Sequence, residues 1–416
     1  MTGVLIVGAG SAGSVLAERL SADPHRRVTV LEAGPGPESA KFRDLTRDAF
    51  SLPIGSDSPV VRHYRSRLTD DPPRDGDVVR GQCVGGSGAV NGCYFWRALP
   101  QDFGATPGWS WVEVEEHYLA VESRISASPA TEFSTVTQRF AAAAEAAGHG
   151  AGLAAVPLNV DGGRRLGPGA VYLEPALDRP NLTLLTGTRA EAIRFRGDRA
   201  VGAVAVGPSG TVSFDADHVV LTSGAIGTAR LLLASGIGPA GRIVDLPVGQ
   251  HCWDHPEWTL PTGWHPAGTG PVLEAVLDHE DVEIRPYTTG FGAPETSIGV
   301  ALMRPRARGR VTREHIEHRY DSEPADIEAL RRGCELVAEI IGGRAGEPVW
   351  STSQHLAGTA PMGTGADSVV DPRLRVHGTD RLWVADGSVL PAPLGRGPHA
   401  TIAMVGHRAA AFIALE

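Results

Sequence analysis

The first thirty-four residues, MTGVLIVGAGSAGSVLAERLSADPHRRVTVLEAG, alternate between apolar runs and glycine or polar breaks. The apolar run at 4–7 predicts a buried strand, and Val15, Leu16, Arg19 and Leu20 then follow at helical spacing. A second apolar run, 28–31, predicts a neighbouring strand that ends in Glu32. Farther along, Trp109, Val112, Val114, Tyr118 and Val121 give 109–123 an amphipathic helix. Ser134 is placed to cap a helix through QRFAAAAEAAG, which Gly148 ends. NLTLLTGTRAEAIRF and AVGAVAVG alternate like paired strands, and HVVLTSGA reads as a parallel strand feeding the helix GTARLLLAS. Pro324 opens a third helix whose stripe of Ile327, Leu330, Cys334, Val337 and Ile341 puts Cys334 in a core. Residues 35–79 are proline-rich and aperiodic, with DDPPRDGD at 70–77, and predict a loop or lid.

Strand, glycine turn, helix and strand form a dinucleotide-binding pattern. Gly8 permits the tight turn, Gly10 lets backbone approach a pyrophosphate, and Gly13 lets helix and strand pack closely. The helix N-terminus at Ser11 and Ala12 offers free N–H groups to the anion. Glu32 stands nineteen residues after Gly13, where a carboxylate accepts hydrogen bonds from ribose hydroxyls and repels a 2′-phosphate. NADP is thereby disfavoured, while NAD and FAD both remain open on this pattern.

Composition narrows the remaining classes. At 416 residues the chain is long enough for two domains or one large composite. Its 52 glycines, against a usual ~7%, point to many tight loops around a ligand. A formal charge of −10 and no Lys/Arg block argue against nucleic acid. Only Arg26-Arg27 and RPRARGRVTR at 304–313 are locally basic, the latter expected to be a solvated loop, with a peripheral membrane contact left open. Four cysteines without a CxxC give no disulfide framework, and no secretory leader or membrane span is expected, which makes cytoplasmic the default location.

In VVRGQCVGGSGAVNGCYFWRA, at 78–98, the glycines predict backbone laid flat against something planar or anionic, or a structural turn. RGQCVGGSGAVNG resembles the RGKxLGGSSxxNG loop of the glucose–methanol–choline (GMC) oxidoreductases, which that family lays along FAD. VVLTSGAIGTARLLLASGIGP (219–239) is similar to the family's GAIGSPQLLxLSGIGP signature. QHLAGTAPMG (354–363) resembles YHPxGTxxMG, and VVDPRLRVHGTDRLWVADGSVLPAP (369–393) resembles the family's C-terminal flavin segment. The resemblance implies an α/β composite: a Rossmann-like FAD-binding domain from 1–100, 181–256 and 366–416, and a substrate domain on an antiparallel sheet from 101–180 and 257–365. The chain is short for the family, chiefly between Asp254 and Trp350.

Cofactor contacts carry over by position. Gly8, Gly10, Ser11, Ala12 and Gly13 would meet the pyrophosphate of FAD, Glu32 and Ala33 the ribose, and Gly86, Ser87, Asn91 and Gly92 the isoalloxazine side. Ala190, in the 190–193 stretch, falls on the strand that touches adenine, Asp386 and Gly387 would approach the ribityl–phosphate, and Ala400 the ring. Val90 stands where some members carry a flavin-linked histidine, so non-covalent FAD is implied.

Oxidising an alcohol requires a base beside the flavin that removes the hydroxyl proton as hydride leaves the carbon. Histidine suits the task, and of fifteen, His355 and His399 match the family's paired catalytic sites, with their roles undivided. The string at 88–98 and PLGRGPHAT are also similar to a shorter branch associated with the redox cofactor mycofactocin. That likeness implies a reduced carrier as donor and a quinone or respiratory acceptor. An alcohol oxidase releasing hydrogen peroxide, a non-catalytic flavin-binding electron-transfer partner and an NAD-binding dehydrogenase are the alternatives. His251, Cys252, Asp254 and His255 in GQHCWDHP are zinc-ligand types, but their spacing matches no standard structural site and the string resembles the family's GxNLxDHP loop, so no metal is expected.

Overall fold

The computed structural model describes residues 2–268, 270–343 and 345–416. A five-stranded parallel sheet runs in the order Leu182–Leu185, Arg26–Leu31, Thr2–Val7, His218–Leu221, Leu382–Val384. Leu5, Ile6, Val28, Val30, Val219 and Val220 have no exposed surface, as expected of strands covered on both faces. Helix Ser11–Ser21 follows the first strand, and the last helix, His399–Ala414, packs across it. Gly406 makes that packing close: a Cβ there would lie 2.5 Å from the Ala12 carbonyl oxygen.

A second, antiparallel sheet runs Val349–Thr352, Pro256–Pro261, Ser297–Leu302, Val282–Pro286, Ala275–His279, Leu153–Ala155. Helices Thr135–Ala146 and Pro324–Ile340 cover one face, where Phe140, Leu330 and Val337 pack on Leu277, Val282, Ile284 and Val300. Strand alternation sends Glu283 and Arg285 from the same strand to the opposite face, together with Glu257. That face is also buried, so its charges must find partners inside the protein.

The N-terminal strand–helix–strand unit, the amphipathic helix (Trp111–Ile125), the 218–234 strand and helix, and the core placement of Cys334 agree with the sequence pattern. Three expectations need correction. Residues 35–79 hold a helix, Ala40–Arg47, and most of a long hairpin, Val61–Asp70 with Pro73–Gly81. Its alternation is hidden because the solvent side carries charges that pair across strands, Arg65 and Arg67 with Asp75 at 2.6 and 2.7 Å. Leu182–Leu185 joins the parallel sheet, and only Arg189–Arg196 pairs with Arg199–Gly207. Ser134 occupies the cap position, yet its hydroxyl donates to Glu274 at 2.8 Å rather than capping the helix. Among the described residues no helix is long and apolar enough to cross a membrane.

Phe140 lies between helix and antiparallel sheet with no exposed surface. Phe140→Ala is expected to lower the unfolding free energy by about 3–5 kcal/mol, read as an earlier midpoint in a urea titration.

Candidate functional site

Three stretches that carry few side chains meet at the C-terminal end of the parallel sheet. Gly8 has φ +108°, and a Cβ on Gly13 would fall 2.0 Å from the Gly8 carbonyl oxygen, so neither position accepts a side chain. Gly86, at φ +55°, sits where a Cβ would come 2.8 Å from Gly10 Cα. The first turn and the 81–92 loop are thus in backbone contact, tied by the Gly85 N–H donating to the Ala9 carbonyl at 2.7 Å. Gly10 provides no side-chain cap, which leaves the amides at Ser11, Ala12 and Gly13 facing outward from the helix end. A Cβ on Gly88 would lie 2.5 Å from Ser11 Oγ and 2.6 Å from His399 Nε2, so the last helix begins at the same point.

Glu32 is buried, and each carboxylate oxygen accepts one backbone N–H, from Ala9 at 3.0 Å and Gly34 at 2.9 Å. Burial raises its pKa, and those amides oppose the shift. The oxygens keep lone pairs for further donors. Ala33 follows, half-buried, and the Glu32 and Gly34 carbonyls accept from Thr188 and Gly187 at the foot of the strand that carries Ala190. The Asp386 carboxylate accepts from Gly224 N–H, Thr228 Oγ1 and Ser388, capping helix Gly224–Ala234. Gly387 and Ala400 are buried beside it and in the first turn of the last helix, and Ser87 Oγ accepts from Gly81 N–H at 3.1 Å. Gly92 faces Val272. The glycine cradle, the uncapped helix amides and the buried carboxylate together fit FAD. Val90, 4% exposed, brings no nucleophile to the loop.

Arg165 anchors the loop from behind. The residue is 1% exposed, and its guanidinium donates to four carbonyls, Asn91, Thr46, Ala89 and Ser51, at 2.8–3.1 Å. Asn91 is thereby held with its Oδ1 accepting the Cys93 N–H and its amide nitrogen 3.0 Å from His399 Nδ1. An amide nitrogen only donates, so His399 Nδ1 accepts and its proton sits on Nε2. That Nε2 is buried with no partner among the described residues.

His355 lies on the other side of the 395–399 turn. No hydrogen bond joins it to His399 among the described residues; its Nδ1 is 2.8 Å from His255 Nδ1. A Cβ on Gly397 would be 3.3 Å from His355 Nε2 and 3.2 Å from Tyr94, which makes glycine the wall beside that nitrogen. Burial pulls the His355 pKa well below its ordinary value, with His255, Arg285 and Arg80 adding to the shift. Burial likewise lowers His399 to about 4. Both rings are neutral at pH 7.

The polar face of the antiparallel sheet closes this side. Tyr94 donates to Glu283 at 2.9 Å, Arg396 bridges Glu283 and Asp278, and Arg285 bridges Glu283 and Glu257 at 2.8 and 3.1 Å. Burial works against the Arg285 charge, but Glu283, Tyr287 and Glu257 hold its pKa well above the usual value. Asp254, His255, Tyr94 and Arg165 were not selected from the sequence. Asp254 and His255 were visible only as zinc-ligand types within the loop resembling GxNLxDHP; here His251 is exposed and Cys252 is buried in the main core.

The model of the GMC oxidoreductase family matches residues 3–257 with its N-terminal part and 305–406 with its C-terminal part. The chain is 35% identical to an uncharacterised GMC-type oxidoreductase of Rhodococcus erythropolis, covering 98% of this chain and 97% of that protein. It is 28% identical to choline oxidase of Arthrobacter globiformis, over 98% and 93% of the two chains. The structure of pyridoxine 4-oxidase from Mesorbium loti has the same fold, with a TM-score of 0.86 at 24% identity over 100% of both chains.

Depressed histidine pKa values carry a stability signature. Because His255, His355 and His399 protonate less readily folded than unfolded, their contribution is complete above ~6.5 and is lost as pH falls toward about 4. Calorimetric midpoints are expected to be flat above pH 7 and to fall from about 6.5 down to about 4, and His399→Asn should make that fall shallower.

Proposed function

The chain belongs to the GMC oxidoreductase family, FAD enzymes that oxidise CH–OH donors, and from that premise we propose that His355 is the base and His399 the hydrogen-bond donor of its reaction. The observation that carries the division is the Asn91–His399 contact. It supports a His399 proton on Nε2, so that nitrogen donates and has no lone pair with which to take a proton. His355 Nε2, with no hydrogen bond among the described residues and glycine rather than a side chain at the neighbouring position 397, is left to accept the donor's hydroxyl proton. FAD, when bound, supplies the acceptor for the hydride released by the carbinol carbon. His399 then orients the donor oxygen through its Nε2–H, and the low pKa values keep both rings neutral before reaction.

In this reading the segments 1–100, 181–256 and 366–416 hold FAD through Gly8, Gly10, Ser11, Ala12, Gly13, Glu32, Ala33, Gly86, Ser87, Asn91, Gly92, Ala190, Asp386, Gly387 and Ala400. The segments 101–180 and 257–365 face the donor. The apolar Val90 supports non-covalent attachment. The likeness of 88–98 and PLGRGPHAT to the mycofactocin-associated branch supports reduced mycofactocin as donor and a quinone or respiratory acceptor; an alcohol oxidase using oxygen is the competing assignment.

His355→Ala and His399→Ala are each expected to keep bound flavin and to lose donor-dependent flavin reduction by about 10²–10⁴-fold; normal reduction in either variant removes that residue from the mechanism. Acid precipitation should leave a colourless pellet and yellow supernatant, and a yellow pellet would mean covalent attachment. In anaerobic titrations, bleaching only by reduced mycofactocin with slow recovery in air is expected. Bleaching by a simple alcohol with rapid recovery in air would make the protein an oxidase.

A further inference from the structure

We infer that His255 is a positioning residue that fixes the tautomer of His355, placing the His355 proton on Nδ1 and a lone pair on Nε2. The inference deepens the reading of His355 as base and rests on it for its catalytic meaning, while the tautomer itself is separately measurable.

The chain of hydrogen bonds runs in one direction from a backbone carbonyl. His255 Nε2 lies 2.9 Å from the Leu394 carbonyl oxygen, which can only accept, so Nε2 bears the hydrogen. A neutral imidazole has one N–H, and His255 Nδ1 is therefore an acceptor. The atom 2.8 Å from it is His355 Nδ1, which must donate. With its one proton committed there, neutral His355 has a bare Nε2, the atom beside Gly397. The opposite neutral arrangement would set two lone pairs against each other at the Leu394 carbonyl. A cationic His255 is opposed by its burial, with no exposed surface, and the same burial pulls its pKa down to about 3 against the pull of Asp254.

The surroundings hold the two rings in register. One oxygen of Asp254 accepts the backbone N–H of both His255 and His355, each at 2.8 Å, so a single atom sets the spacing of two residues a hundred positions apart. The other oxygen accepts from Tyr320 at 2.9 Å and Thr352 at 2.5 Å. The rings meet edge to face, 87° apart. Trp253 packs on His255 and donates its indole N–H to Leu390, so neighbouring residues lean on the same 390–394 segment. When His355 takes a hydroxyl proton, both its nitrogens bear hydrogen, and the Nδ1–H still points at the His255 lone pair, which favours the new charge.

The test is a long-range ¹H–¹⁵N correlation spectrum of ¹⁵N-histidine-labelled holoenzyme near pH 8, with His355 assigned by its disappearance in His355→Asn. Protonated Nδ1 and bare Nε2 on His355 are expected; Nε2–H on His355 would overturn the inference without any variant of His255. His255→Phe should shift His355 toward the other tautomer and slow anaerobic flavin bleaching by reduced mycofactocin, or by choline should the native enzyme prove to be an oxidase, by about 10²-fold, with little change in KM. His255→Gln, whose amide can donate to Leu394 and accept from His355, should restore the tautomer and most of the rate. A folded His255→Phe with an unchanged His355 tautomer would also overturn the inference. If the native tautomer is as inferred but His355→Ala still bleaches at the native rate, the tautomer assignment stands and the base assignment falls.

Discussion

The site depends on backbone meeting backbone. Gly10 and Gly86 approach so closely that one methyl group on Gly86 would meet Gly10 Cα at 2.8 Å, and Gly13 packs on the Gly8 carbonyl with still less room. Side chains at these positions would push apart the first helix, the 81–92 loop and the last helix. Their ends would then no longer converge, and His399 Nε2 would lose its place near Ser11. The local conformational cost of so many glycines is offset by packing elsewhere: strands buried on both faces and Gly406 set into the first helix.

Opposite this apolar, glycine-built wall stands one of buried charge. Glu257, Glu283 and Arg285 lie on the sheet face away from the helices, and each is 4% exposed or less. Charges so placed are tolerable only when paired and hydrogen-bonded, and here they satisfy one another with Tyr94, Tyr287, Ser353 and Arg396. Truncating one partner would leave another charge unpaired in the interior. The glycine wall holds by sterics and the charged face by mutual electrostatic satisfaction, while His399 is held by Asn91 and His355 by His255 and Asp254.

Features written within one short stretch of chain were legible in the sequence. The nucleotide turn follows from glycine spacing and a carboxylate nineteen positions on, and the 324–340 helix follows from its stripe. The hairpin at 61–81 was not, because its solvent side is charged and its signal is cross-strand. His255 was obscured for another reason: its neighbours in sequence suggested metal ligands, while its actual partners are His355 and Leu394, 100 and 139 positions away. Arg165 shows the same limit, since a guanidinium held by four carbonyls leaves no pattern in side-chain types.

The parallel sheet is assembled from strands that leave the ribosome in a different order from their places in it. The N-terminal strand emerges first, yet one of its edges stays bare until 218–221 is made, and that strand in turn waits for 382–384. The glycine turn is complete by residue 32, but the wall it needs arrives only with His399 and Gly406, far along the chain. The surroundings of the turn are thus incomplete until His399 and Gly406 have been made, and the growing chain must keep a long apolar edge from other partners until 218–221 and 382–384 arrive.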